Sequence, residues 1–342
     1  MSYRLKGILF FIVAIISIVI GISFGSVFVS PKEIIAVFSL QLFQIPLPEE
    51  FRTILVGIVW ELRLPRVLLA FVAGAILAVT GAIMQSLLKN PLASPYGLGV
   101  SSGAGLGVAL AMVSGIGSGI LGVYALPIIG LISGIITVTA VIMISKKIDP
   151  NLSSHTIILT GMVASLFSNA VMSMVASTSS EYSQRILLWQ LGSLSLRKWS
   201  YVIILFVMLV ISLLIVLRYT RELDILSFGE EQALSMGVDH KRFTWIFLFL
   251  VSALIGTLVS FVGIIGFLDM ISPHIVRRIF GHSHKYVIPF SALFGGSFLV
   301  IADLLARTLI SPSEIPIGSI TALVGAPFFI LMFLQNGRNR TC

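Results

Sequence analysis

The chain is poor in charge. Only 11% of its 342 residues are Asp, Glu, Lys or Arg, where a soluble domain carries about 25%. A water-facing surface for a chain of this size cannot be built from that supply, and the 57% hydrophobic content says the same. It has one cysteine, Cys342, which excludes an internal disulfide and a thiolate metal site. No G-x-x-x-x-G-K-[ST] occurs, and no lysine follows a glycine, so the loop that cradles ATP phosphates is missing. No Asp/His/Cys cluster recurs in the apolar runs; His282 and His284 share a polar loop and His274 stands alone. That excludes a chain of metal sites across the membrane, and no nucleophile, base and acid come together in sequence.

What is present is apolar runs long enough to cross a bilayer, since about 20 residues span the hydrocarbon. Clear runs lie near 8–29, 66–88, 120–145, 155–176, 199–218, 244–266, 287–310 and 316–335. The first follows Arg4 and Lys6 with no small-x-small cleavage site, so it reads as an uncleaved span. Residues 97–114 are glycine-rich, and 268–281 are apolar but short. With both counted as passes around a turn at 115–119, the chain has ten spans. Fourteen of the twenty-two basic residues, among them Arg4, Lys6, Lys89, Lys146, Lys147, Arg277 and Arg340, then fall on one side. The positive-inside rule makes that side cytoplasmic, with both termini there. Lys32, Arg52, Arg63, Arg66, Arg185, Arg197, Lys198 and Arg307 fall outside. The net charge of +8 is thereby explained without nucleic acid. The fold class is an all-α polytopic membrane protein, one transmembrane domain over 1–342, with 219–243 as a cytoplasmic segment within it. The short 268–281 piece needs protein or water at its ends, because lipid satisfies no backbone group.

Within that segment DILSFGEEQALSMGVDHKR, Asp224 to Arg242, carries six charges in nineteen residues. Ser227 stands three before Glu230, the spacing of a capping box. Glu230 and Glu231 would occupy a first helical turn, where the dipole favours acids, and Gly237 is a stop. Ala233, Leu234 and Met236 offer a small apolar patch. So short a helix needs something to pack on, either the protein's own membrane face or a cytoplasmic partner.

Two long stretches are more specific. ELRLPRVLLAFVAGAILAVTGAIMQSLLKNPLASPYGLGVSSGAGLG (Glu61–Gly107) and SPHIVRRIFGHSHKYVIPFSALFGGSFLVIADLLARTLISPSEIPIGSITALVGAPFFI (Ser272–Ile330) resemble the FecCD-type permeases of ABC importers for ferric siderophores, haem and cobalamin. The motifs LRLPR, GAxxQ, NPLAxP, PHxxR, ADxxAR and ExPxGxxTAxxGxPxF stand in the family's order. The resemblance implies a transport subunit with no catalytic residues and no cofactor. It works beside a second permease, identical or a sister chain, with two cytoplasmic ABC ATPases beneath and an extracytoplasmic substrate-binding protein above, in a bacterial cell membrane. It implies further that Ser227, Gly229, Glu230, Glu231, Ala233, Leu234 and Gly237 belong to the segment that seats in the ATPase. Arg63, Arg66 and Arg307 would meet acidic residues of the binding protein; by pattern alone they would anchor helix ends. Ser153, Ser154 and His155 would form the cytoplasmic gate, and Ser165, Ser168 and Asn169 the wet lining above it, unless they serve interhelical hydrogen bonds.

Asp303, in ADxxAR, is expected to make a helix-end hydrogen bond. Asp269, where the family has glycine or an apolar residue, either touches substrate or accepts bonds from the start of the short helix. Gly99, Gly103 and Gly107 mark a smooth face for helix packing. An ion-driven secondary transporter would want charged midplane sites, and few exist here.

Overall fold

The computed structural model describes residues 2–25, 27–45, 54–115, 122–150, 152–178, 180–195 and 198–338, and of residues 123, 180, 182, 185, 188 and 332–338 the backbone alone. Arg52, Arg197, Arg340, Cys342 and most of the turn at 115–119 lie outside these residues, as does the side chain of Arg185.

Each of the ten apolar runs contains a helix. In chain order these are α1 (Tyr3–Ser23), α3 (Leu64–Leu87), α4 (Val100–Val113), α5 (Ala125–Ile148), α6 (Ser154–Ala176), α8 (Trp199–Arg218), α11 (His240–Val262), α12 (Leu268–Phe280), α13 (His284–Thr308) and α14 (Ile317–Arg338). Between them lie α2 (Pro31–Phe43), α7 (Ser180–Gln190), α9 (Thr220–Leu226) and α10 (Glu230–Ser235). Among the described residues seven helices are long and apolar enough to cross a membrane. A wide π-type turn over Gly57–Arg63 leads into α3.

The bundle is built around α3, which is buried nearly along its whole length and packs on α8, α11, α12 and α13. A helix apolar on every face suits either such a ring or lipid. Small residues let the backbones approach, because dispersion rather than water exclusion holds helices together in lipid. A Cβ at Gly74 would sit 2.2 Å from the carbonyl oxygen of Gly295 on α13. Two glycines of the expected stripe pack as one face of α4: a Cβ at Gly103 or Gly107 would run into Thr137 or Ser133 of α5, whereas Gly99 precedes the helix at φ 77° and faces Gly161 and Ser165 of α6. By contrast α1, α5, α6 and α8 expose Phe11, Ile136, Phe167, Leu214 and similar side chains, apolar faces suited to lipid or to another membrane subunit.

Helix α12 has 13 residues, about 20 Å of rise, too short for a bilayer of about 30 Å. Its entry is an extended stretch, and protein groups satisfy it. The Tyr96 hydroxyl donates to Ile265 O (2.8 Å) and accepts from Ile265 N (3.4 Å). Ser193 N donates to Val262 O (2.9 Å), and Gln85 Nε2 donates to Met270 O (3.2 Å). The need for protein around this half-span is met.

Candidate functional site

Most candidate site residues gather at the two ends of the bundle. Since α3 runs from Arg66 near its start to Ser86 near its end, residues that contact these two side chains lie at opposite ends of the molecule.

At the first end, the three arginines are engaged inside the protein, and none projects as a free arm. Arg63 Nη1 donates to the carbonyls of Ile22 (2.8 Å) and Ser23 (3.1 Å), and Nη2 donates to that of Val27. Arg307 Nη2 donates to Gly21 O. Both thus serve the last carbonyls of α1, where a cation is favoured by the helix dipole. Arg66 instead joins two acids: Nε and Nη2 reach Asp303 at 2.8–3.1 Å, and Nη1 and Nη2 reach Glu314 at 2.6 and 3.1 Å. Its planar fork allows both contacts at once.

Asp303 does not make the expected helix-end hydrogen bond. It sits inside α13, 1% exposed, and is held by Arg66, with Arg307 Nε at 3.8 Å. The reason is geometric: five residues of α13 follow it, so no free backbone donor is near, and a buried carboxylate needs a charged partner. Glu314 lies between α13 and α14, also accepts from Ser195 Oγ, and is 40% exposed at its side chain. Burial would raise its pKa, but the hydrogen bonds from Arg66 and Ser195 and the nearby arginine charge win and hold it below the usual range. A cavity of about 920 Å³ opens here, lined by Trp60, Glu61, Lys198 and Trp199 together with Arg66 and Glu314. Glu314 and Ser195 were missed as site residues, though the ExPxG motif holds the former.

At the other end, α10 is capped differently from the capping-box expectation. Ser227 terminates α9, and its hydroxyl donates to Asp224 O (2.6 Å). Gly229, at φ 127°, is the residue before α10 and caps it without a side chain. Burial of Leu223 and Leu226 holds α9 as a helix through the position where the box would have begun. Glu230 and Glu231 do occupy the first turn of α10. Gly237 ends it at φ 77°, with Val238 N bonded to Ala233 O (2.8 Å) and Gly237 N to Leu234 O (3.0 Å), a Schellman stop. Ala233 faces inward, whereas Phe228, Leu234 and Met236 are 67%, 61% and 60% exposed.

His284 is not a loop residue. It opens α13, 2% exposed, and its Nδ1 lies 2.5 Å from Asp224 Oδ1 and its Nε2 2.5 Å from Ser86 Oγ. Asp224 also accepts from His284 N (2.9 Å), so it caps α13 from another segment. Ser86 further meets Arg277 Nη2 (3.3 Å), and Arg277 Nη1 donates to Gln85. Acid, imidazole and hydroxyl stand in line, yet Ser86 is 4% exposed and its hydroxyl also lies 3.0 Å from Ala82 O. With no room for a reacting carbonyl, the array is a clamp joining α9, α13, α3 and α12. Burial acts to raise the Asp224 pKa, but the His284 contacts outweigh it and hold the carboxyl below its ordinary range. A depressed carboxylate adds stability above its unfolded pKa and loses it as pH falls through the folded one. Asp224→Asn should therefore lower the melting temperature at neutral pH, and the gap from wild type should close on acidification below pH ~4. Melting curves across pH check this; a gap constant with pH would reject it.

Along α6, Ser153, His155 and Asn169 are exposed, Ser154 is half-buried, Ser165 Oγ donates to Gly161 O (2.9 Å), and Ser168 is buried. Only part of that set could line a wet path in this single chain. Asp269 is fully buried and accepts from Ser94 Oγ, which leaves it no substrate contact in this conformation. Among the described residues no group of His, Cys, Asp and Glu could hold a metal.

Known proteins match along the whole length. The FecCD transport family model matches residues 13–335. An uncharacterized ABC transporter permease protein of Bacillus subtilis, YvrB, is 38% identical over 323 residues, covering 94% of this chain and 91% of its own. The Fe(3+)-citrate import system permease protein YfmE of the same organism is 35% identical, covering 96% and 94%. The hemin transport system permease protein HmuU of Yersinia pestis is also 35% identical, covering 83% and 85%. A solved inward-facing structure of a metal-chelate type ABC transporter superposes with a TM-score of 0.84 at 29% identity, covering 97% of this chain and all of that one. With the family's motifs, its helix order and its fold all present, the chain belongs to the FecCD transport family and is the multi-pass permease of an ABC importer, not its ATPase.

Proposed function

We propose that this permease takes an iron–siderophore complex from an extracytoplasmic binding protein at the Arg66 end and releases it to the cytoplasm. Two ATPases drive the step by gripping residues 219–243, and a second permease, a copy or a sister chain, completes the path along α6 and α14. The observation that carries this reading is the surface of α10. Phe228, Leu234 and Met236 are exposed beside Glu230 and Glu231, on and immediately flanking a six-residue helix that is not stable alone. An apolar plate outside the lipid calls for a cover, and its acids add register to the fit. The clamp at Asp224 and His284 fixes this plate to α13 and α3, so a push on it reaches the bundle as a rigid displacement.

Haem or cobalamin is the second reading, supported by identities of 35% to a hemin permease and 35–37% to two cobalamin permeases, no lower than the 35% to the Fe(3+)-citrate permease. Uptake into proteoliposomes, tested with iron-siderophores, haem and cobalamin and the cognate binding protein, separates the ligands. Uptake that proceeds without ATPase subunits would overturn the importer mechanism in favour of a gradient-driven one. Glu230→Lys with Glu231→Lys should reduce co-purification of the ATPase at least about tenfold, by placing two reversed charges in the interface. Undiminished co-purification rejects the docking role of α10.

A further inference from the structure

Of the three arginines, only Arg66 holds an exchangeable partner. Arg63 and Arg307 are committed to the backbone of α1, and the Asp303 carboxylate is sealed at 2% side-chain exposure. Glu314 is different. It reaches Arg66 from a loop, at 40% exposure, on the rim of the cavity that Lys198, Trp60 and Trp199 also line. Arg66 is thus a nearly saturated guanidinium: four of its five N–H groups face a carboxylate, and the fifth meets the Ser195 hydroxyl at 3.4 Å. Any incoming carboxylate must displace one, and Glu314 is the one that can leave.

We propose that Glu314 is a tethered occupant of the site that receives an acidic side chain of the substrate-binding protein, so that docking exchanges one carboxylate for another on Arg66. This rests on the reading of the Arg66 end as the docking face. Charge complementarity selects the occupant. Four cations, Arg63, Arg66, Arg307 and Lys198, stand here against three carboxylates, Glu61, Asp303 and Glu314; the excess favours an acidic newcomer, and on Arg66 itself that newcomer would stand against Glu314 as a like charge unless Glu314 leaves. The exchange also has a mechanical consequence. Glu314 lies in the link between α13 and α14, next to Ile315, whose N–H bonds Ala306 O (2.9 Å), and close to Gly318, whose N–H bonds Leu191 O (3.3 Å). Release of Glu314 unties one of the contacts that hold the start of α14 to α3, so arrival of the binding protein is felt by a helix of the proposed pathway. Self-occupancy lowers the apparent affinity by the fraction of permease in which the site is free.

The test uses the complete transporter in lipid nanodiscs and its cognate binding protein, with Kd read by interferometry. Glu314→Gln removes the competing charge from an exposed position and should tighten binding about threefold to tenfold. Glu314→Asp, which keeps the charge on a shorter arm, should fall between it and wild type. A Kd that is unchanged or weaker in Glu314→Gln overturns the proposal. Arg66→Gln in the same assay separates the two failures. If Arg66→Gln weakens binding while Glu314→Gln does not tighten it, the docking face stands and the exchange is wrong. If neither variant alters Kd, the docking reading itself fails.

Discussion

Replacing Asp303 by alanine is expected to cost about 3–5 kcal/mol of stability, the range for removing one partner of a buried ion pair. The size follows from what stays behind. Arg66 and Arg307 have side-chain exposures of 13% and 9%, so both guanidiniums would keep their charge in a poorly hydrated pocket. Glu314 can compensate only in part, because it approaches Arg66 from the open side and is itself screened by water. Asp303→Asn should cost less, since it keeps the shape and one acceptor while losing the charge. The measurement is the thermal or denaturant midpoint of the permease in detergent, with yield of folded protein as a second readout. An alanine variant that melts with wild type would show that the pair is dispensable and that the Arg66 end is organised by something other than Asp303.

Gly81→Ala should be of similar size for a reason that involves no charge. A Cβ at Gly81 would lie 1.8 Å from the carbonyl oxygen of Asp269 and 2.5 Å from its carbon. No rotamer change relieves a clash with backbone, so α3 and α12 must separate. Overpacking a tight contact typically costs 1–3 kcal/mol, and ~3 kcal/mol or more is expected where the obstacle is a main chain. The separation would also disturb the Asp269 contact with Ser94 and the Gln85 bond to Met270 O (3.2 Å). Transport should therefore fall more steeply than stability. Uptake per folded transporter and melting temperature, measured on one preparation, test this. Wild-type values of both would mean that α3 and α12 are not pressed together at Gly81 in the membrane.

Eight of the ten helices were legible because each depends on a local quantity, the length of an apolar run set against bilayer thickness; the glycine-rich α4 was reached through the distribution of basic residues instead. Helix α12 was legible too, as a run too short to span, and the rescue of its entry by Tyr96 and Gln85 is the consequence that the bilayer demands. The end of α10 at Gly237 was equally local. Its beginning was not. Ser227 and Glu230 have the spacing of a cap, but burial of Leu223 and Leu226 extends α9 to Leu226, and a packing preference overrode a local one.

The amino-acid order alone determined the class of the protein, its spans, its lack of an ATP-binding loop and its family, because apolar length, missing motifs and motif order need no third dimension. Partnership was decided only by the tertiary structure. Arg66 meets Asp303 across 237 residues and Glu314 across 248, and His284 meets Asp224 across 60 and Ser86 across 198. A buried charge must find its counter-charge wherever packing brings one within reach, and that distance is set by how helices cross, which no spacing along the chain encodes.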